Sequence, residues 1–289
     1  MISTPATEAS LIAEDDCLPP GLLGRAFRRT RNNATGIVVL GGSSGRVEVS
    51  RATIFANQGT MAIALRWFGG EGQAPGICEI PLETFFAATD YLVEQGCERI
   101  VFVGTSKGAE AALLAAVYDA RIDAVIAVSP SSFVWGNIGP GLDGIGWPER
   151  SSWTLRGTPI PFMPTVSGWA PEYRGELVAY RGLFEHCLKV HETEIEAATI
   201  PLERTSAQIL LVAGCDDALW PSDKFATSIV QRRASAGLPT QLVLGKDAGH
   251  RVLLPGETTQ RSSRHAHGGN DEADAALGRL AWEQIRAIL

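Results

Sequence analysis

The chain has 289 residues, 45% hydrophobic and 20% charged, with a formal net charge of −7. That composition can fill a sizeable core, and the length fits one large α/β domain better than two small ones. A negative balance of scattered charges gives no footprint for nucleic acid, and no run approaches the length of a membrane span.

Residues 1–20 are polar, carry Glu8, Glu14, Asp15 and Asp16, and end in Pro19-Pro20. They read as a flexible N-terminal arm rather than a signal peptide. The one basic cluster, Arg25, Arg28, Arg29 and Arg31, is expected as solvated positions on one or two short edge strands within residues 21–31. The five cysteines are an odd number without C-x-x-C spacing, so neither a disulfide framework nor a zinc site is expected. A soluble, cytoplasmic protein with reduced thiols, no metal and no cofactor is the reading that follows.

Residues 37–40 make the first buried strand, followed by Gly41-Gly-Ser-Ser-Gly45 and a weak helix pattern over 47–57. Residues 61–65 are the next strand, and Pro81 opens a helix with Leu82, Phe85, Phe86, Leu92 and Val93 on one face. A strand at 100–103 then runs into Gly104-Thr-Ser-Lys-Gly108 and at once into a helix of small residues ending near Tyr118. The strand 124–128 follows. Short apolar strands alternating with crossover-length helices predict a parallel sheet covered by helices on both faces.

From 129 to 205 the alternation stops. This segment holds half of the sixteen prolines and four of the seven tryptophans, then a polar helical stretch over 173–198. A long irregular insertion in a compact domain is usually functional, so it reads as a lid. Trp135 and Trp147 from it, with Trp220 further on, are the candidate wall of a substrate pocket; the alternative is that they pack the insertion onto the body. The sheet resumes at 208–213 before Gly214-Cys-Asp-Asp217. Ser222 is the expected N-cap of a helix to Ala236, and 241–244 is the last strand, leading to His250. Residues 271–289 form an amphipathic helix with Ala273, Ala276, Leu277, Leu280 and Ile288 inward.

A G-x-S-x-G turn between strand and helix holds its serine strained and exposed, the arrangement of the α/β-hydrolase fold. Gly104–Gly108 and Gly41–Gly45 both fit. Only about 35 residues precede the earlier strand, which leaves no room for upstream strands, so Ser106 is preferred to Ser43 as nucleophile. A serine needs a base, and the base needs an acid that fixes its tautomer. Asp217 and His250 follow the next two strands and so share the sheet edge with Ser106, in the order Ser, Asp, His. Asp216 competes as acid. His265 and His267 compete as base but lie in a polar run with no preceding strand, where surface positions shaping the cleft rim are expected; His186 and His191 are expected to be solvated. The amide of Lys107 is one candidate oxyanion donor, and the loop containing Gly42, Ser43 and Ser44 should supply the other. The Lys107 side chain is expected in an ordinary salt bridge.

Taken together, Gly104-Thr-Ser-Lys-Gly108, Ile200-Pro-Leu-Glu-Arg204, Gly214-Cys-Asp-Asp217 with Trp220, Ala248-Gly-His250 with Pro255, and His267-Gly-Gly269 resemble one family over most of residues 36–289. It is the catalytic domain shared by acyl-CoA thioesterases and bile acid-CoA:amino acid N-acyltransferases. The resemblance implies Ser106, Asp217 and His250 as the triad, and an acyl thioester of CoA or of an acyl carrier as substrate. Animal-type members carry an additional β-sandwich domain ahead of this one, and the stretch before residue 36 is too short for it. The N-acyltransferases resemble a cysteine case, whose acyl-enzyme stays a thioester biased toward amines. The thioesterases resemble the serine case, whose ester intermediate is open to water, so hydrolysis is expected. The alternatives are acyl transfer to an amine or hydroxyl, a dienelactone-type carboxylesterase, or a non-catalytic binding protein on the same fold.

Overall fold

The computed structural model describes residues 18–29, 33–258 and 260–289, together with the backbone of Ile12–Glu14. Eight strands form the central sheet: β1 (Ile12–Glu14), β2 (Leu23–Arg28), β3 (Thr35–Leu40), β4 (Met61–Arg66), β5 (Arg99–Thr105), β6 (Ala124–Val128), β7 (Gln208–Gly214) and β8 (Gln241–Gly245). Their spatial order is β1-β2-β4-β3-β5-β6-β7-β8. β2 pairs antiparallel with both β1 and β4, and every pairing from β4 to β8 is parallel.

The central strands are apolar on both faces because helices cover both. Val38, Leu40, Ile63, Phe102 and Leu211 face one core, shared with α2 (Glu83–Glu94), α3 (Lys107–Tyr118) and the helix over Ser222–Ser235. Ile37, Val39, Val101, Ile126 and Val212 face the other, filled by α1 (Val49–Ala56) and the helix over Asp271–Arg286. Period-two alternation therefore splits one continuous apolar run between two cores. Among the described residues no helix is long and apolar enough to cross a membrane.

Several local expectations need correction. Residues 1–11 and 15–17 of the N-terminal arm lie outside the described residues, but Ile12–Glu14 adds a strand outside β2. β2 is therefore not the sheet edge, and Arg28 is buried rather than solvated; Arg31 lies outside the described residues. The stretch over 173–198 does not begin as helix: Glu172–Arg174 and Leu177–Ala179 pair as a hairpin, and only then does α4 (Arg181–Val190) start. Gly175 at φ +66° supplies the tight turn that a helical reading overlooks. Ser222 is the first residue of α5 (Ser222–Ser235) rather than its cap, since its hydroxyl is used elsewhere. In α6 (Asp271–Arg286) Leu280 is 54% exposed, and the inward stripe is Asp274, Leu277, Gly278, Ala281 and Ile285.

Strand register fixes which loops meet. Leu40 pairs with Gly104, Thr105 with Val128, Val128 with Val212, and Gly214 with Gly245. The carboxyl ends of β3, β5, β6, β7 and β8 thus form one edge, where ligands bind in open α/β sheets. The sharpest turn there is β5 into α3. A Cβ on Gly104 would fall on the Gly108 carbonyl, and one on Gly108 would fall on the carbonyls of Leu40 and Gly41. Gly104→Ala should therefore cost about 3 kcal/mol or more, as overpacking against immovable backbone does. A urea midpoint unchanged from the parent chain would show that the turn has slack.

Candidate active site

Ser106 occupies the turn between β5 and α3 with φ +56° and ψ −121°. A side chain rarely adopts this conformation, and holding it costs of order 1–3 kcal/mol. The backbone on either side is pinned: Ser106 N–H donates to Val128 O at 2.9 Å, and Ser106 O accepts from the amides of Ala109 and Glu110 at 2.9 and 3.1 Å. Its hydroxyl lines a cavity of about 590 Å³.

Asp217 follows β7 and is fully buried. Its Oδ1 accepts from the amides of Leu219 (2.9 Å) and Trp220 (3.2 Å), and its Oδ2 from the Ser222 hydroxyl (2.5 Å). His250 Nδ1 lies 2.8 Å from the same Oδ2. A carboxylate so placed is an acceptor, so it draws the ring proton to Nδ1 and leaves Nε2 free to take another. The His250 backbone is fixed as well: its N–H donates to His267 O and its carbonyl accepts from Ser129 Oγ, both at 2.8 Å. Asp216 points away from the imidazole, accepting from Gly269 N–H and from Arg174, each at 2.7 Å. It ties down the loop before α6.

Ser106 and His250 line the same cavity, with no hydrogen bond joining their side chains among the described residues. Catalytic hydrogen bonds are often loose before substrate binds. Ser43, Lys107, Trp147 and Trp220 also line it, and Trp147 is 71% exposed at the mouth. Gly42 approaches the serine so closely that a Cβ there would sit 3.2 Å from Ser106 Cβ. Lys107 is the first residue of α3, where an amide has no partner within the helix and is left as a donor.

Two expected site residues stand elsewhere. Trp135 is not part of the wall: it is buried against Phe133, Phe184 and Phe225, because its ring packs the insertion and its Nε1–H donates to Ser131 Oγ at 2.8 Å. Ser44 is exposed and outside the cavity lining, its hydroxyl accepting from the Arg46 amide at 3.3 Å. The histidine run is also not plain surface. His265 lines the cavity, and half-buried His267 lies with its ring 6.1 Å from that of His250. His186 is exposed, whereas His191 is half-buried with Nε2 out of solvent.

The Lys107 side chain turns down into the protein. Its Nζ pairs with Glu110 Oε1 at 2.7 Å, both groups essentially out of solvent, and lies 5.0 Å from the centre of the Trp153 ring. The same Oε1 accepts from Trp135 N–H (3.0 Å) and Trp153 Nε1–H (2.7 Å). Burial pushes Lys107 down and Glu110 up from their ordinary values, and their mutual attraction opposes both shifts. Glu110 and Ser129 are not singled out by the sequence, and Ser222 is singled out only as a helix cap. A lysine three residues before a glutamate was the one available sign, since neither serine stands in a motif.

Residues 80–289 match the family described as BAAT / Acyl-CoA thioester hydrolase C terminal. The chain is similar to human acyl-coenzyme A thioesterase 6, with 24% identity covering 88% of this chain and 59% of that protein. It is also similar to human acyl-coenzyme A thioesterase 1, with 25% identity covering 94% of this chain and 66% of that protein. The chain thus spans about three-fifths to two-thirds of these curated relatives. Its fold resembles that of a carboxyl esterase 2 from Tuber melanosporum, with TM-score 0.52 and 14% identity over 99% of this chain and 86% of that one. An α/β-hydrolase fold with Gly104-Thr-Ser-Lys-Gly108 at its sharpest turn, matched from residue 80 to the last residue, makes this chain a member of the BAAT / acyl-CoA thioester hydrolase C-terminal family.

Proposed function

We propose that the protein is a serine hydrolase of acyl thioesters, taking the acyl group from CoA or an acyl carrier. The observation that carries this reading is the convergence on one cavity of Ser106, held at positive φ, and a His250 ring hydrogen-bonded to buried Asp217. Ser106 Oγ attacks the thioester carbonyl while its proton passes to His250 Nε2, and Asp217 stabilises the imidazolium that forms. Lys107 N–H, and an amide of the loop containing Gly42 and Ser43, stabilise the tetrahedral oxyanion. Collapse expels the thiol, which takes the proton from His250. Water, deprotonated by the same ring, then attacks the Ser106 ester and releases the acid. Apolar lining by Leu183, Phe184, Trp147 and Trp220 suits an acyl chain rather than a polar group.

His267 constrains the working pH. Burial first, and then the neighbouring His250, push its pKa down to about 4. A folded-state pKa below the unfolded one means that stability is full above the unfolded value, about 6.5, and is lost as pH falls toward 4. Protonated His267 would also stand beside the imidazolium that His250 must become.

Ser106→Ala should lower turnover of a panel of acyl-CoA esters by on the order of 10⁴ or more. Mass spectrometry of the parent chain held with a slow thioester should find the acyl group on the Ser106 peptide; full turnover by the alanine variant would end the reading. His267→Gln should flatten the fall in melting temperature between pH 6.5 and 4, and parallel curves for the two chains would contradict the assignment to His267.

A further inference from the structure

A buried guanidinium lies between the two halves of the site and takes no part in the steps above. Arg51 of α1 is 6% exposed. Its Nε donates to Glu257 Oε1 at 2.6 Å and its Nη2 to Glu257 Oε2 at 2.7 Å, a two-point pairing that fixes the plane of the fork. Glu257 is itself held by the Leu254 amide at 2.9 Å. Burial alone would raise the Glu257 carboxyl, but Arg51 and that amide together hold it below the ordinary carboxylate range. A buried pair by itself is weak evidence for a stabilising role. The destinations of the remaining donors are more specific. Nη1 donates to Thr105 Oγ1 at 2.7 Å and Nη2 to Val252 O at 3.0 Å. Thr105 immediately precedes Ser106, and Val252 is two residues beyond His250.

The Asp217 contact sets the orientation and tautomer of the His250 ring but not its separation from Ser106, because Asp217 follows β7 and Ser106 follows β5. With no direct hydrogen bond between hydroxyl and imidazole, that separation depends on how the turn after β5 and the segment after His250 are held to each other, beyond the link that Val128 and Ser129 make between Ser106 N–H and the His250 carbonyl. Arg51 hydrogen-bonds to both. We propose that Arg51, aligned by Glu257, is a positioning residue that sets the reach of His250 Nε2 to the Ser106 hydroxyl by bridging Thr105 and Val252. The proposal rests on Ser106 as nucleophile and His250 as base. A misplacement near 1 Å in such a pair costs about 10²-fold in rate.

Replacing Arg51 itself would leave Glu257 as an unpaired buried charge and endanger folding, so the test is made at Thr105. Thr105→Val keeps the shape and removes the acceptor, whereas Thr105→Ser keeps the hydroxyl. A fluorophosphonate reports Ser106 reactivity without assuming any substrate. With urea midpoints measured alongside, Thr105→Val should label at least tenfold more slowly than the parent chain, and Thr105→Ser within about twofold of it. Parent-like labelling of Thr105→Val would overturn the bridge while leaving the nucleophile assignment intact. Equal slowing in both variants would show that the effect does not follow the acceptor, which Thr105→Ser retains, and would likewise overturn it. If the parent chain itself is not labelled at Ser106, the nucleophile reading fails and the bridge falls with it.

Discussion

The arrangement of the site depends on one steric constraint, the closeness with which α3 returns against β3 and β5. No Cβ fits at residue 104 or 108, because the space is already occupied by the carbonyls of Gly108, Leu40 and Gly41. That approach drives Ser106 into a positive φ, turns its hydroxyl toward the cavity and leaves the start of α3 open at the same spot. It also brings the loop after β3 against the serine, with a Cβ on Gly42 falling 3.2 Å from Ser106 Cβ. The strain of order 1–3 kcal/mol is held in place by hydrogen bonds on both sides of the residue.

A second residue at positive φ does related work. Ser129 follows β6 with φ +48°, and in that conformation its hydroxyl reaches the His250 carbonyl while its own carbonyl accepts from Trp220 Nε1–H at 3.1 Å. The imidazole is thus gripped at its ring by Asp217, at its amide by His267 and at its carbonyl by Ser129. Each contact comes from a different loop. Under the proposed mechanism such redundancy suits a group that changes charge without moving, since relaxation of the surroundings would add to the barrier.

The sheet is legible because it rests on local signals. Uninterrupted apolar runs such as residues 37–40 mark strands buried on both faces, and Gly104–Gly108 marks a turn that only glycines permit. What stayed hidden depends on contacts between distant residues. Trp135 and Trp147 look alike in sequence, yet one is buried in the insertion and the other stands at the cavity mouth, a difference set by tertiary packing. His267 looks like part of a solvated polar run, but the loop bearing it is drawn inward by the amide of Gly269 bonding Asp216. Ser222 has the right chemistry for a cap, and the nearby Asp217 carboxylate takes its hydroxyl instead. Arg51 stands in a mediocre helix pattern and gives no local sign that its partner is 206 residues away.

The buried lysine and glutamate of α3 bear on how the long insertion is held. Glu110 receives hydrogen bonds from Trp135 and Trp153, so the segment between them is moored at both ends to the helix that follows the Ser106 turn. Swinging that segment aside would strip a fully buried carboxylate of two of its three donors in a dry environment, a heavy penalty for routine opening. Both ends of that segment are therefore held, while Ile138, Trp147 and Pro148 between them line the cavity.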